Sequence, residues 1–223
     1  MIEADDVPIR VPAAKPEPIV LEGRYARLEP FDPARHSNDL FAAIVSDADT
    51  RHRWLFDHAP ETPEALREWM ERVATSADPL FHVVVDRAAG RAGGRQSLMR
   101  ITPDHGVIEI GNILWGEGIA GTRIATEALY LTADYVFETL GYRRFEWKCN
   151  DRNAPSKRAA QRFGFAFEGV FRQHMVVKGE NRDTAWFAML DRDWPRLKAG
   201  YDTWLDPANF DAEGRQANPL RFA

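Results

Sequence analysis

Val107-Ile108-Glu109-Ile110-Gly111-Asn112-Ile113-Leu114-Trp115, followed by Gly116-Glu117-Gly118-Ile119-Ala120-Gly121 and the segment from Thr122 to Leu140, is the stretch whose reading decides the fold. Its first nine residues are rich in β-branched and aromatic side chains and run up to a glycine, as a buried strand does. One carboxylate, Glu109, interrupts them. From Thr122 onward, Ile124, Ala128, Leu131, Tyr135 and Val136 recur at helical spacings, and the pattern stops at Gly141, a residue suited to the position after a helix. A glycine-rich turn therefore feeds directly into a helix N-terminus. Unpaired backbone N–H groups and the positive end of the helix dipole collect there, so a phosphate group is the natural ligand. A second strand, Arg143 to Cys149, alternates Phe145, Trp147 and Cys149 with Arg144, Glu146 and Lys148. A second helix follows, opened by Asn153 as N-cap with Pro155 in its first turn and closed by Gly164.

Working outward, Phe81 to Asp86 reads as a strand, Arg87 to Arg95 as a glycine-rich turn, and Gln96 to Ile101 as the antiparallel partner. Asp32-Pro33 and Thr62-Pro63 each open a helix, the first carrying Leu40, Phe41, Ile44 and Val45 on one side, the second Leu66, Trp69, Met70 and Val73. Between them, Arg51-His52-Arg53-Trp54-Leu55-Phe56 has no periodicity and is either a cleft wall or a hydrophobic plug. Downstream, Phe165 to Phe171, Gln173 to Lys178 and Thr184 to Leu190 read as strands, the last two joined by the polar turn Gly179 to Asp183. A short helix is expected from Trp194 to about Leu205. The organisation expected is a flexible proline-rich arm over 1–18, one domain over 19–195, and a C-terminal helix and tail over 196–223.

With 223 residues, 44% of them hydrophobic, the chain can build a sizeable core. A net charge of -5 argues against a general nucleic-acid binder. The single cysteine cannot form an internal disulfide, and no apolar run approaches a membrane span or a signal-peptide core, so a reducing, cytoplasmic setting without a membrane partner is expected. Six histidines and one cysteine show no paired ligand spacing, so no metal is expected.

The order of elements resembles the GCN5-related N-acetyltransferase (GNAT) superfamily, and within it the RimJ/RimL-type branch. The residues that carry the resemblance are Ala125-Thr126-Glu127-Ala128, Leu140-Gly141-Tyr142-Arg143-Arg144, Asn153-Ala154-Pro155-Ser156 and Gly164-Phe165-Ala166-Phe167-Glu168-Gly169. The resemblance implies an α+β (mixed α/β) acyl-CoA N-acyltransferase fold, a splayed, mostly antiparallel sheet flanked by helices. It also implies acetyl-CoA as acetyl donor. Two departures stand out. In the register of the family's phosphate turn, Ala120-Gly121-Thr122-Arg123-Ile124-Ala125, the middle glycine is replaced by Arg123, whose side chain could shift the turn or itself pair with phosphate. Many members also carry a tyrosine seven residues after the capping asparagine, where this chain has Ala160; in the branch named, a serine at the place of Ser156 can meet the cofactor sulfur.

Acetyl transfer to an amine needs a base, donors for the developing oxyanion and a receiver for the thiolate. Glu109, in an apolar strand where desolvation should raise its pKa, is the candidate base; alternatively it faces solvent or meets an arginine. Backbone N–H groups near Ile113, Leu114 and Trp115 would hold the thioester oxygen. Ser156 either hydrogen-bonds the sulfur or only satisfies its helix end. The resemblance places cofactor contacts at Ala120, Gly121, Thr122, Arg123, Ile124, Ala125, Thr126, Asn153, Ser156 and Arg158, with Arg152 and Lys157 adding to the basic cluster. It places Trp54, Phe56, His174 and the Asn181-Arg182-Asp183 turn in the acceptor cleft, where Asp183 could hold an ammonium group. No nucleophile elbow occurs, and nothing marks Cys149 as reactive, which favours direct transfer. The expected acceptor is a small-molecule amine or amino-acid-like compound; a protein N-terminus, or a degenerate acyl-CoA-binding module without turnover, are the alternatives. The proline-rich arm and the aromatic tail, with Trp204, Phe210 and Phe222, could wrap a second subunit into a homodimer.

Overall fold

The β-branched runs of the chain become one eight-stranded sheet in a computed structural model that describes residues 9–222. Strands β1 (Leu21–Glu22), β2 (Ala26–Pro30), β3 (Leu80–Asp86), β4 (Arg91–Thr102) and β5 (Val107–Trp115) form an antiparallel succession, and β6 (Arg144–Asn150), β7 (Ala166–Val177) and β8 (Glu180–Leu190) form another. The spatial order is β1-β2-β3-β4-β5-β6-β8-β7. The two groups meet where β5 pairs in parallel with β6, over Val107–Ile110 against Arg144–Trp147 and no further. Past Ile110 and Trp147 the strands part, leaving one edge of residues 111–115 without a partner strand. Two parallel strands need a crossover, and helix α4 (Arg123–Asp134), prolonged by a π-helical turn over Tyr135–Thr139, supplies it. Gly141, at φ 74°, ends it as the sequence predicts.

Helix α4 packs on β2 with Ala128 and Leu131 against Leu28 and Val84. Helices α1 (Pro33–Ile44) and α3 (Pro63–Val73) are capped by Asp32 and Thr62, and bury Leu40, Ile44, Leu66 and Met70 against Phe31, Phe81, Val83 and Val85. Helix α5 (Ala154–Arg162) follows β6, and α6 (Trp194–Trp204) packs Leu197 and Tyr201 into the main core.

Three local expectations change. The turn read over Arg87 to Arg95 is shorter, because β4 begins at Arg91 and contains Gly93 and Gly94. Those glycines are needed for close approach: a Cβ on Gly93 would lie 2.6 Å from Ile119 Cγ2, and one on Gly94 would lie 2.7 Å from the Leu114 carbonyl oxygen. The strands read as Phe165 to Phe171 and Gln173 to Lys178 are one strand, β7, whose register against β8 shifts between Phe167 and Gly169 and again between Phe171 and Met175, where Gln173 has φ 50°. The polar turn shrinks accordingly to Lys178 and Gly179, since β8 begins at Glu180 and Glu180 to Arg182 pair with β7.

Residues 1–8, with Pro8, lie outside the described residues. The rest of the arm is held to the body: the Ala13 and Ala14 amides donate to the carbonyls of Pro103 and Leu140, and the Glu17 amide to Tyr135 Oη at 3.0 Å. The tail also packs on its own chain. Trp204 Nε1 donates to Gln216 and to the Asn218 carbonyl, and the Phe222 ring sits 5.3 Å from that of Tyr201.

His82 is buried in β3, and burial pushes its pKa down to about 4. An unfolded chain binds a proton at this position below about pH 6.5, whereas the folded chain resists it until about pH 4. Stability is therefore full above pH 6.5 and declines as pH falls toward 4. Urea denaturation should give an unfolding free energy about 2 kcal/mol lower at pH 5 than at pH 7 from this residue, and His82→Gln should flatten that difference.

Candidate functional site

The parting of β5 and β6 opens a cleft of about 370 Å³ lined by Glu109 to Trp115 on one side and by Trp147 to Asn150 with Asn153, Pro155, Ser156 and Ala159 on the other. The opening is built into the local structure. Between the paired residues Ser97↔Gly111 and Arg95↔Leu114, Gln96 alone faces Asn112 and Ile113, so β5 carries a bulge there, with Asn112 in the left-handed region at φ 50°. Asn112 Nδ2 donates to Ser97 Oγ at 3.0 Å and fixes the bend. Ile113, Leu114 and Trp115 thereby line the cleft.

A third wall comes from the segment read as either wall or plug. Residues Ala48–His52 form a short helix, α2, and Trp54, Leu55 and Phe56 after it line the cleft. Four ties hold this segment. Arg51 Nη1 donates to the Trp115 carbonyl at 2.6 Å, Lys178 Nζ donates to the His52 carbonyl at 2.8 Å, Asp57 pairs with buried Arg95 at 2.5 Å, and the Arg182 guanidinium lies 5.2 Å from the Phe56 ring. Arg95 itself lies over the Trp69 ring at 4.4 Å.

Glu109 lines the cleft at 4% exposure, but not as the isolated, desolvated carboxylate expected. Its Oε2 accepts from Arg100 Nη1 at 2.9 Å and from Lys148 Nζ at 2.8 Å. Lys148 also meets Glu146 at 2.6 Å and lies 4.0 Å from the centre of the Trp186 ring. The β5–β6 register, which sets Glu109 opposite Glu146, produces this grouping. Glu109 Oε1 accepts from no described group and remains free as an acceptor.

At the turn, Thr122 caps α4, its Oγ1 accepting from the Ile124 amide at 3.2 Å. The amides of Gly121, Arg123 and Ala125 have no acceptor among the described residues, so three N–H groups are available at a helix N-terminus. The Arg123 side chain is held by two aromatic rings. Its guanidinium stacks on Tyr25 at 4.4 Å and on Phe210 at 5.2 Å. That aromatic pair takes up the cation and leaves the turn backbone clear. Of the turn residues named from sequence, Ala120 lines the cleft, and the side chains from Gly121 to Thr126 do not.

Asn153 Oδ1 accepts from the Ser156 amide at 3.2 Å as N-cap of α5. Ser156 Oγ accepts from Trp147 Nε1 at 3.0 Å and faces the cleft beside Cys149. Burial pushes the Cys149 thiol up, while the contact with Ser156 acts the other way. Arg158 is exposed and off the cleft, and Lys157 is engaged with Asp151 at 2.5 Å.

Trp54 and Phe56 are in the cleft wall, but His174 and Asp183 are not among its lining residues. His174 Nδ1 meets Thr184 Oγ1 at 2.9 Å, and burial, then the charges of Arg100, Arg182 and Lys148, lower its pKa. Asp183 accepts from the Gln173 amide at 2.7 Å and from Asn181 at 2.9 Å, contacts that lower its pKa and spend it on ordering β7 against β8. The sequence reading missed Arg51, Arg100 and Lys148, and within the Asn181-Arg182-Asp183 segment it singled out Asp183, whereas Arg182 lines the cleft. One signal was available: Arg144, Glu146 and Lys148 alternate in sign along one strand face, and a carboxylate, Glu109, lies one strand away.

The profile described as an acetyltransferase (GNAT) domain matches residues 26–166. A crystal structure of a GCN5-related N-acetyltransferase from Brucella melitensis is similar over 95% of this chain and 96% of its own, with 54% identity and a TM-score of 0.92. The uncharacterized N-acetyltransferase p20 of Bacillus licheniformis is 33% identical over 98 residues, 42% of this chain and 52% of that protein, about half its length. The provisionally named ribosomal N-acetyltransferase YdaF of Bacillus subtilis is 27% identical over 173 residues, 75% of this chain and 90% of that protein.

Proposed function

The chain belongs to the GNAT acetyltransferase family, and from that premise we propose that it moves an acetyl group from acetyl-CoA directly to a primary amine of a small molecule or amino-acid-like acceptor. The cleft between β5 and β6 carries this reading, with free backbone donors at the turn and a carboxylate with an unoccupied oxygen on the strand. The three free N–H groups at Gly121, Arg123 and Ala125 fit a pyrophosphate, and the parted strands fit an extended pantetheine arm that would add its amides to the unpaired edge of residues 111–115. Arg123, turned to Tyr25 and Phe210, does not obstruct the turn.

Acetyl-CoA supplies the activated acetyl thioester. The backbone donors of Ile113 to Trp115 stabilise negative charge on the thioester oxygen. Glu109 Oε1 holds the acceptor amine and takes its proton, with Oε2 kept in place by Arg100 and Lys148. The Ser156 hydroxyl, oriented by Trp147 Nε1, would turn from Cys149 to donate toward the departing sulfur. Cys149, kept as a thiol by burial, takes no part as a nucleophile.

A second reading, transfer to a protein N-terminus, is favoured by the ribosomal name of the YdaF relative. Calorimetric titration with acetyl-CoA should show saturable micromolar binding; no binding up to millimolar would sink the cofactor assignment. In a thiol-release assay with amines and N-terminal peptides, Glu109→Gln should lower turnover at least about tenfold with cofactor affinity retained. Unchanged turnover would remove Glu109 as the base.

A further inference from the structure

Arg95 and Arg182 are buried arginines, 1% and 7% exposed, and they are provided for very differently. Arg95 has Asp57 at 2.5 Å. Arg182, on β8 at the cleft wall, has no carboxylate within salt-bridge distance among the described residues: its Nε donates to Thr184 Oγ1 at 3.2 Å, and the Phe56 ring lies alongside. Its electrostatic neighbours are Glu109, Arg100 and Cys149. Glu109 offers little compensation, because Arg100 and Lys148 already share its Oε2. From β7, His174 adds no negative charge. Arg100 and Lys148 thus take up Glu109, Lys148 and Arg144 take up Glu146, and Arg182 is the cation left here, among the described residues, without a carboxylate of its own. A buried guanidinium without a counter-ion is costly, and burial accordingly lowers the Arg182 pKa. The arrangement is incomplete until an anion enters.

That anion sits on the acceptor side. Arg182 is grouped with Glu109, Trp54 and Phe56, whereas the free helix N–H groups that suit the cofactor's phosphates belong to the turn before α4. We propose that the acceptor carries a carboxylate close to its reactive amine, and that Arg182 binds this carboxylate while Glu109 Oε1 holds the amine. The inference rests on the transferase reading above. Amine and carboxylate in one ligand describe a free amino acid or the acidic N-terminal end of a peptide. Arg182 is then a specificity-determining residue, with a planar fork suited to bidentate carboxylate recognition. Arg100, partly exposed beside it, adds to the attraction.

The test uses the full chain and thiol release from acetyl-CoA with matched acceptors: amino acids against their amides, and short peptides with Asp or Glu at the first two positions against the Asn or Gln equivalents. The wild-type protein should favour the carboxylate member of a pair by at least about tenfold in kcat/KM, as loss of a charge-assisted hydrogen bond implies. Preference within the amino-acid pairs identifies the free acid as the source, and preference within the peptide pairs identifies an acidic N-terminus. Arg182→Gln should raise KM for the preferred acid at least about tenfold with the acetyl-CoA Kd unchanged, and Arg182→Lys should fall between. Equal or better turnover of the amides, or loss of acetyl-CoA affinity in Arg182→Gln with acceptor KM unchanged, overturns the proposal. The wild-type comparison decides the matter even if the variants do not fold. Failure of acetyl-CoA to bind at all would instead remove the transferase reading beneath it.

Discussion

Lys148→Met should lower the unfolding free energy by about 3–5 kcal/mol, the cost of leaving buried charge uncompensated. The register places Glu109 directly opposite Glu146, and like charges in such positions repel. Lys148 Nζ, at 2.8 Å from one carboxylate and 2.6 Å from the other, is what allows both to stay at 4% and 7% exposure. Arg100 still reaches Glu109, and Arg144 still reaches Glu146 at 2.6 Å, so the lower end of the range applies. Urea denaturation at pH 7 should show a reduced midpoint with an unchanged m-value. Adding Glu146→Gln to the variant should recover much of the loss. A single variant as stable as the wild type would show that the grouping is solvated and not the buried triad described.

Glu127→Ala should cost a similar amount, about 3–5 kcal/mol, through backbone groups on another element. Glu127 lies on α4 at 4% exposure, and its carboxylate accepts from the amides of Arg24, Tyr25 and Ala26 at 2.8, 2.5 and 2.6 Å. Removing it strands three donors, Ala26 fully buried among them, and each unsatisfied group costs about 1–3 kcal/mol. Water reaching Arg24 and Tyr25 offsets part of that sum. Glu127→Gln, with one acceptor oxygen and an NH₂ group turned toward N–H donors, should be destabilised as well, which separates hydrogen bonding from packing. The segment also holds Tyr25 under the Arg123 guanidinium. A variant that still folds should therefore bind acetyl-CoA less tightly, because Arg123 is released toward the turn. Midpoint shifts in urea and calorimetric titration read the two effects separately.

The parts of this molecule written in short-range chemistry were legible in the sequence. Asp32, Thr62 and Asn153 cap helices where expected, Gly141 stops α4, and Phe145, Trp147 and Cys149 alternate inward along β6. What escaped depends on register and on side chains meeting across elements. Nothing near Glu109 in the chain announces Lys148, which reaches it from the neighbouring strand. Nothing near Arg123 announces Tyr25 and Phe210, about a hundred residues away on either side. His174 and Asp183 lie in the right hairpin but are engaged locally by Thr184, Gln173 and Asn181, while Arg182 between them lines the cleft. Strand alternation makes that difference of one position decisive, since neighbours face opposite sides of a sheet.

The four-residue parallel seam between β5 and β6 has a further meaning for how the molecule opens. Every other strand pairing is antiparallel, and the five strands on one side and the three on the other are each continuous in sequence, so the sheet is two locally folded units joined along a narrow line. Contacts of low sequence separation form early, and units of this kind behave as separate foldons. Helix α4 belongs to the chain between them and packs on β2 from the first unit and on α6, which follows the second, so it ties the two units together away from the joint. A ligand lodged in the gap would add hydrogen bonds where the sheet has fewest. Occupancy would then slow amide exchange across the whole joint and couple the cleft to the cohesion of the two halves.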